Sequence, residues 1–368
     1  MKKQLSSIDL HFLVNELEFL KDSRVDKIYH PMNDRLIFSF YKTNIGKKLL
    51  NIDVGKALYI IEEKETENET LGFGMFLRKH LDGFFLVDIV QIKPERIAKL
   101  TFKAKEEKYL YIELFGKGNA ILCNEHDVIL NALEHHDFRE RSIRPKLKYV
   151  YPVMSFNLFD LRENDLTRLF KSSIKDTLIT SLAIELGFGG LYSEEICLLS
   201  NIDKNKNPKS ISENENKSIW NSIKKIINKK IDSYVIFDNG NPIDLAPFDL
   251  EYYKKHEKKA FPTFNEAVSY FYSQFKEIKE TEYDKKLKSL QRIIEQQKQT
   301  IEELRKEEYE LREKGEMIYH NYNLIKEVLD EINKASKKYS WKEIKEKLKG
   351  HNTIKEINEK ERKVVVEL

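Results

Sequence analysis

The chain has 368 residues; 34% are charged, but Lys plus Arg (64) and Asp plus Glu (61) nearly cancel, for a net charge of +3. An average soluble protein carries about 25% charged residues, so the excess needs a solvated home such as a long exposed helix, while a hydrophobic fraction of 40% still supports a core over two or three domains. Two cysteines, Cys123 and Cys197, exclude a disulfide scaffold and a four-cysteine zinc site, and no apolar run reaches the roughly 20 residues of a membrane span.

The elements follow in chain order. Ser6-Ser7-Ile8-Asp9 offers helix caps, and Leu10, Leu13, Val14, Leu17 and Leu20 follow at helical spacing. Alternating runs predict strands at 25–29, 36–41, 49–54 and 58–61, with Asn33-Asp34-Arg35 as a turn. The acidic stretch 62–69 is expected as a loop, and 75–81 as a short helix closed by Asp82-Gly83. Strands are expected at 98–103, 109–114, 120–123 and 128–133. Helices are expected at 161–170, 174–186, 193–199 and 219–231, with the Asn/Lys/Ser-rich stretch 201–217 as a flexible loop. A hairpin is expected at 234–245 around Asn239-Gly240-Asn241.

From Phe264 the pattern is helical. Leu287, Leu290, Ile294, Ile301, Leu304, Leu311, Ile318, Tyr322, Ile325, Leu329 and Ile332 advance by threes and fours, with gaps, and Gln297, Glu308 and Gly315 fall on the same seam. A short basic helix at 341–348 and a strand at 363–368 follow. A heptad seam needs a partner helix, and the pattern contains no second long one. The expectation is a chain cut short near there, or self-association through residues near 285–335.

Nucleophilic hydrolysis has little support, because no Gly-x-Ser-x-Gly elbow and no local Cys/His signature occurs. His126, His135 and His136 lie near Asp127, Glu134 and Asp137, where a surface turn is preferred to a metal site. Gly116 and Gly118 lack the spacing and Lys-Ser/Thr end of a P-loop and read as a hairpin turn. An isoelectric point near 8.4 limits any nucleic-acid contact to a local patch. Two stretches suit one. Arg139, Arg141, Arg144, Lys146 and Lys148 run up to Tyr149, which would grip phosphates and stack bases, or equally form a solvated strand edge. Gly187, Gly189 and Gly190 join two helices, which would place backbone N–H groups at a helix N-terminus for a phosphate, or simply make a tight turn.

Five stretches, in order, carry a resemblance. They are Ser7-Ile8-Asp9-Leu10 with Val25-Asp26-Lys27-Ile28-Tyr29; Met75-Phe76-Leu77-Arg78-Lys79-His80-Leu81; Glu113-Leu114-Phe115-Gly116-Lys117-Gly118-Asn119; Leu186 to Cys197; and Lys314-Gly315-Glu316-Met317-Ile318-Tyr319-His320-Asn321. With them the chain resembles the NFACT family of ribosome quality-control proteins, which takes in RqcH-like and NEMF-like proteins and the fibronectin-binding proteins. The resemblance implies an α+β fold in three parts: a sheet-rich domain similar to formamidopyrimidine DNA glycosylases (1–158), a helical helix–two-turn–helix domain (159–262) and a coiled-coil arm (263–368). It also implies a fragment lacking the family's carboxy-terminal RNA-binding domain.

For function, the resemblance implies a cytoplasmic adaptor, not an enzyme, without catalytic residue, metal or cofactor. It would bind large ribosomal subunits, through their rRNA, that still hold a nascent chain on peptidyl-tRNA, and recruit tRNA for mRNA-independent tailing of that chain. No membrane partner is expected. The family's acidic residue in the first helix matches Asp9, and its Asp-Arg pair falls on Glu95-Arg96, with Glu in place of Asp. These three are the expected tRNA-binding residues. Ribosome or RNA contacts are expected at Glu113, Lys117, Asn119, Arg139, Arg141, Arg144, Gly187, Gly189 and Gly190. Two alternatives stand beside this reading. One is a glycosylase-like nucleic-acid binder, whose Pro/Glu nucleophile pair is absent because Lys2 and Lys3 follow Met1. The other is a coiled-coil adhesion or interaction protein, against which the lack of a secretory signal weighs.

Overall fold

Capping starts the first helix in the computed structural model, which describes residues 2–63, 72–138, 141–152, 156–274, 282–351 and 353–367. The Asp9 N–H donates to Ser6 Oγ (3.1 Å) and the Ser6 N–H to Asp9 Oδ2 (2.7 Å), so each residue satisfies a backbone donor that the helix leaves open. Helix α1 (Ser7–Glu16) leads into strands β1 (Ser23–Met32), β2 (Arg35–Lys42), β3 (Gly46–Asp53) and β4 (Ala57–Ile61). Helix α2 (Gly72–Leu81) then leads to β5 (Phe85–Gln91), β6 (Ile97–Lys103), β7 (Glu107–Glu113), β8 (Asn119–Asn124) and β9 (Ile129–Ala132). These nine strands form one antiparallel sheet in the order β4-β3-β2-β1-β5-β6-β7-β8-β9. Residues 64–69 of the expected acidic loop lie outside the described residues.

The two meanders of this sheet meet at only two residue pairs, Ser23↔Leu86 and Arg24↔Phe85. Strands β2 and β6 stand three places apart, about 14 Å across a flat sheet. Yet the ring centroid of Phe102 on β6 is 5.9 Å from Phe38 and 6.4 Å from Phe40 on β2. The sheet therefore folds over on itself and buries these rings between its halves. Strand β5 was not expected from the sequence. A register shift between Leu86 and Asp88 breaks the alternation that would have revealed it.

A short ladder of β10 (His136–Asp137) and β11 (Ser142–Ile143) precedes the helical part. Helices α3 (Glu163–Ser172), α4 (Leu178–Thr180, continued by a π turn at Ser181–Glu185), α5 (Gly189–Ser200) and α6 (Glu213–Ile227) follow. Three differences from the sequence reading have local causes. Helix α5 takes in Gly189 and Gly190; Ser193, read as its start, is buried and bonds back to the Gly189 carbonyl (2.8 Å). Helix α6 starts at Glu213, because Ser212 and Glu215 form a capping box, so the stretch read as a loop holds its first turn. That stretch is also tied down by Lys206, which pairs with Glu215 at 2.6 Å.

The expected hairpin is present as β12 (Ser233–Asp238) and β13 (Asn241–Ala246), and β14 (Glu257–Phe261), too polar to read as a strand, adds to it in the order β13-β12-β14. Helix α7 (Phe264–Gln274), which the sequence assigns to the arm, packs instead within the first compact unit, Met1–Lys276. Its first N–H groups, at Phe264 and Asn265, donate to the Glu16 carboxylate (2.9 and 2.7 Å), and Phe264, Ala267, Val268 and Phe271 are buried.

The second unit, Glu277–Leu368, holds α8 (Glu282–His320), α9 (Tyr322–Ser336), α10 (Trp341–Lys347) and the hairpin β15 (Ile354–Asn358) with β16 (Lys363–Val366). Ile332, Ile344, Ile354 and Ile357 form its small core. Along α8 the heptad residues Leu290, Ile294, Ile301, Leu304, Leu311 and Ile318 are exposed, and no helix covers them among the described residues. The Leu287 side chain lies outside the described residues. Among those residues no helix is long and apolar enough to cross a membrane.

Candidate nucleic-acid interface

The amino-terminal segment organises the sites expected from the sequence. Lys2 donates its N–H to the Ile243 carbonyl (2.7 Å), and Leu5 its N–H to the Lys56 carbonyl (2.9 Å). The Lys2 ammonium sits between Asp9 (2.9 Å) and Asp244 (3.1 Å) and also donates to the Leu245 carbonyl (2.8 Å). Burial pulls that ammonium down, but Asp244 and Asp9 outweigh it, and its net shift is upward. Tyr253 donates to Asp244 (2.7 Å) and Tyr192, from the first turns of α5, to Asp9 (2.7 Å). Asp9 is 0% exposed. An expected tRNA ligand is thus a buried carboxylate already engaged by Ser6, Lys2 and Tyr192.

Arg96 lies at the end of the loop between β5 and β6. Ser7 Oγ donates to the Pro94 carbonyl, and the Gln91 amide nitrogen donates to Ser7 O (3.0 Å), Ser7 Oγ (3.0 Å) and the Glu95 carbonyl (2.9 Å). The loop therefore rests on the first turn of α1. Arg96 is half-buried, and burial lowers the basicity of its guanidinium while the neighbouring Glu95 charge raises it. Its one side-chain hydrogen bond among the described residues goes to a neutral group, Gln4 Oε1 (3.2 Å). The Gln4 amide nitrogen in turn donates to the Gly116 carbonyl (2.8 Å).

The other arginines of the expected set are differently placed. Arg141 grips Glu113 through both terminal nitrogens (2.6 and 3.2 Å), and Tyr149 donates to the same carboxylate (2.8 Å). Arg144 pairs with Asp137, its Nε at 2.8 Å from Oδ1. Asn119 is buried and spans the Glu134 backbone, donating to its carbonyl (2.8 Å) and accepting from its N–H (3.1 Å). Arg141, Tyr149 and Asn119 staple the segment after β9 to the sheet, Arg144 and Asp137 pair within that segment, and the charges are internally matched. Arg139 lies outside the described residues.

Lys117 is exposed at the tip of the β7–β8 turn and makes no ion pair among the described residues. That turn interlocks with the β3–β4 turn: a Cβ added at Gly118 would lie 2.1 Å from the Gly55 nitrogen, and one at Gly55 2.7 Å from the Lys117 carbonyl oxygen. Gly187 and Gly189 have positive φ, and the space before Gly189 and Gly190 is open. The first turn of α5 carries no side-chain cap and no acid. Through Tyr192–Asp9, Ser7–Pro94 and Gln4–Gly116, the glycine turn, the Arg96 loop and the Lys117 turn gather around one short segment.

Sequence reasoning missed Lys2, Gln4, Gln91 and Asp244 as parts of this region. Their partners lie up to 243 residues away in sequence, so no local spacing reveals them. Both thiols, Cys123 and Cys197, are pushed up to about 12 by burial, which leaves them poor nucleophiles. Among the described residues no group of three or more His, Cys, Asp or Glu is arranged to hold a metal ion. His135 contacts Asn131 (3.0 Å), and His126 is exposed beside Glu125.

This sequence and this fold are similar to those of known proteins. The family model for NFACT N-terminal and middle domains matches residues 6–366. The chain is 31% identical over 399 aligned residues to the archaeal Rqc2 homolog aRqcH of Methanocaldococcus jannaschii, covering 100% of this chain and 58% of that protein. It is 25% identical over 379 residues to the ribosome quality control complex subunit NEMF of Homo sapiens, covering 94% of this chain and 35% of that protein. The chain thus spans only part of the length of these relatives. In fold it is similar to the fibrinogen binding protein from Staphylococcus aureus, with a TM-score of 0.62 and 18% identity over 73% of this chain and 98% of that one.

Proposed function

Since the chain belongs to the NFACT family, whose N-terminal and middle domains it carries, we propose that it is a cytoplasmic ribosome quality-control adaptor and not an enzyme. It binds large ribosomal subunits obstructed by nascent-chain peptidyl-tRNA and recruits tRNA for mRNA-independent tailing of the stalled chain. Arg96 is the tRNA contact, beside Glu95. Lys117 and the glycine turn of Gly187, Gly189 and Gly190 meet RNA phosphates around it, and the heptad seam of α8 pairs as a coiled coil.

The observation that carries this reading is the partnering of Arg96. A guanidinium has five N–H donors and pairs most strongly with carboxylate or phosphate. Arg141 and Arg144 spend theirs on Glu113 and Asp137, whereas Arg96 hydrogen-bonds a carboxamide and feels the neighbouring Glu95 only through its charge, which leaves most of its donors for a ligand. Lys2 weighs against the glycosylase alternative. It stands in the place of the nucleophilic proline, its backbone N–H donates to the Ile243 carbonyl (2.7 Å), and its side-chain ammonium is paired with Asp9 and Asp244.

The test is crosslinking of the chain in extract containing stalled large subunits, with sequencing of the bound RNA, beside Arg96→Ala. The expected outcome is enrichment of one or a few tRNAs that the variant loses. Ribosomal RNA alone, equal for both proteins, would overturn the tRNA assignment. Arg96 makes one hydrogen bond to a neutral group, so Arg96→Ala should cost under about 1 kcal/mol of stability, and thermal unfolding verifies that the variant is folded.

A further inference from the structure

We propose that Gln4 is the positioning residue for Arg96, and that its neutrality is the property that matters. This rests on the reading of Arg96 as a tRNA contact. The interlocked Gly55 and Gly118 turns fix the Gly116 carbonyl, that carbonyl fixes the Gln4 amide at 2.8 Å, and the Gln4 oxygen fixes the Arg96 guanidinium at 3.2 Å. On the other side, Lys2 and Leu5 tie the same segment to the Ile243 and Lys56 carbonyls, so Gln4 has an anchored backbone as well.

A carboxamide is suited to this place because it both donates and accepts. It donates to a carbonyl on a rigid turn and accepts from a cation. A carboxylate would hold the guanidinium at least as firmly, as Glu113 holds Arg141, but would cancel the charge that an RNA phosphate needs. An apolar residue of the same length would keep the charge and lose the aim. Within this arrangement Asp9 has a role without touching RNA: it caps α1, whose Ser7 carries the Arg96 loop, and holds Lys2, two residues before Gln4.

The experiment measures the affinity of the full chain for total deacylated tRNA over a salt series, with thermal unfolding of each protein. The proteins are wild type, Arg96→Ala, Gln4→Met, Gln4→Glu and the double variant Gln4→Met with Arg96→Ala. Loss of a hydrogen-bonded, charged contact predicts about tenfold weaker binding for Arg96→Ala and for Gln4→Met. The double variant should be no weaker than Arg96→Ala, because Gln4 acts through Arg96. The slope of log affinity against log salt should fall by about one phosphate contact in each single variant. Gln4→Glu gives up the bond to the Gly116 carbonyl but keeps an acceptor for Arg96, so it should unfold no earlier than Gln4→Met yet bind at least tenfold more weakly than wild type, and more weakly than Gln4→Met, an order that a merely structural role would not produce.

Wild-type affinity in both Gln4 variants beside a weakened Arg96→Ala would overturn the role of Gln4 and leave Arg96 standing. So would multiplication of the two losses in the double variant. Wild-type affinity in Arg96→Ala would overturn both.

Discussion

Asp9 and Arg96 belong to one hydrogen-bonded neighbourhood but differ in what water can reach. Removing one member of a buried charge cluster strands the others, at a cost of about 3–5 kcal/mol. Asp9→Ala should therefore lower the unfolding free energy by that amount in a urea titration, where Arg96→Ala changes it little. A loss of tRNA binding in Asp9→Ala would then follow from the disordered support of Gln4 and Ser7. His11 gives a second expectation at this scale. Burial and the Lys93 ammonium push its imidazole down to about 4, and its ring packs on Phe159 at 4.5 Å. Between pH 6.5 and about 4 the unfolded chain binds this proton and the folded chain does not, so stability falls as pH falls through that window. The melting temperature of His11→Phe should decline less over the same range. The motifs pick out Asp9, Glu95 and Arg96 by residue type, but burial is a property of the packed chain. That is why residue type alone does not separate a buried carboxylate from a half-buried guanidinium.

The elements of the first unit owe their placement to turns as much as to strands. Gly118→Ala would drive a Cβ into the Gly55 backbone at a positive φ, a cost of about 2 kcal/mol or more. Gly116→Ala meets open space and should cost only about 1 kcal/mol for its left-handed backbone. Comparative thermal unfolding of the two variants distinguishes a mere hairpin turn from an interlock. The strands and most helices are legible from alternation and helical spacing, because one face of each is wet. What escapes is what breaks the period. The bulge at Leu86–Asp88 hides β5, the charges of Glu257-Lys258-Lys259 hide β14, and a capping box inside an Asn/Lys-rich run hides the start of α6.

On the scale of the whole molecule, the chain divides into two compact units, and the heptad residues of α8 expose a row of aliphatic side chains in the second. Such a seam gains stability by burial against another helix. The full chain should show a concentration-dependent rise in mass by light scattering or sedimentation, abolished by the double substitution Ile301→Glu with Leu304→Glu. A strictly monomeric mass at high concentration would remove that pairing. The first unit closes in a different way. Lys2 reaches Asp244 and the carbonyls of Ile243 and Leu245, and Glu16 caps a helix that begins at Phe264. During synthesis at about 5–20 residues per second, the partners of Lys2 emerge on the order of 10–50 s after Lys2 itself. A protein whose proposed task begins at a halted ribosome thus keeps its own amino-terminal segment unfinished until most of its first unit has been translated, so a truncated copy made by an interrupted ribosome would lack the Lys2 clasp beside Gln4 and Arg96.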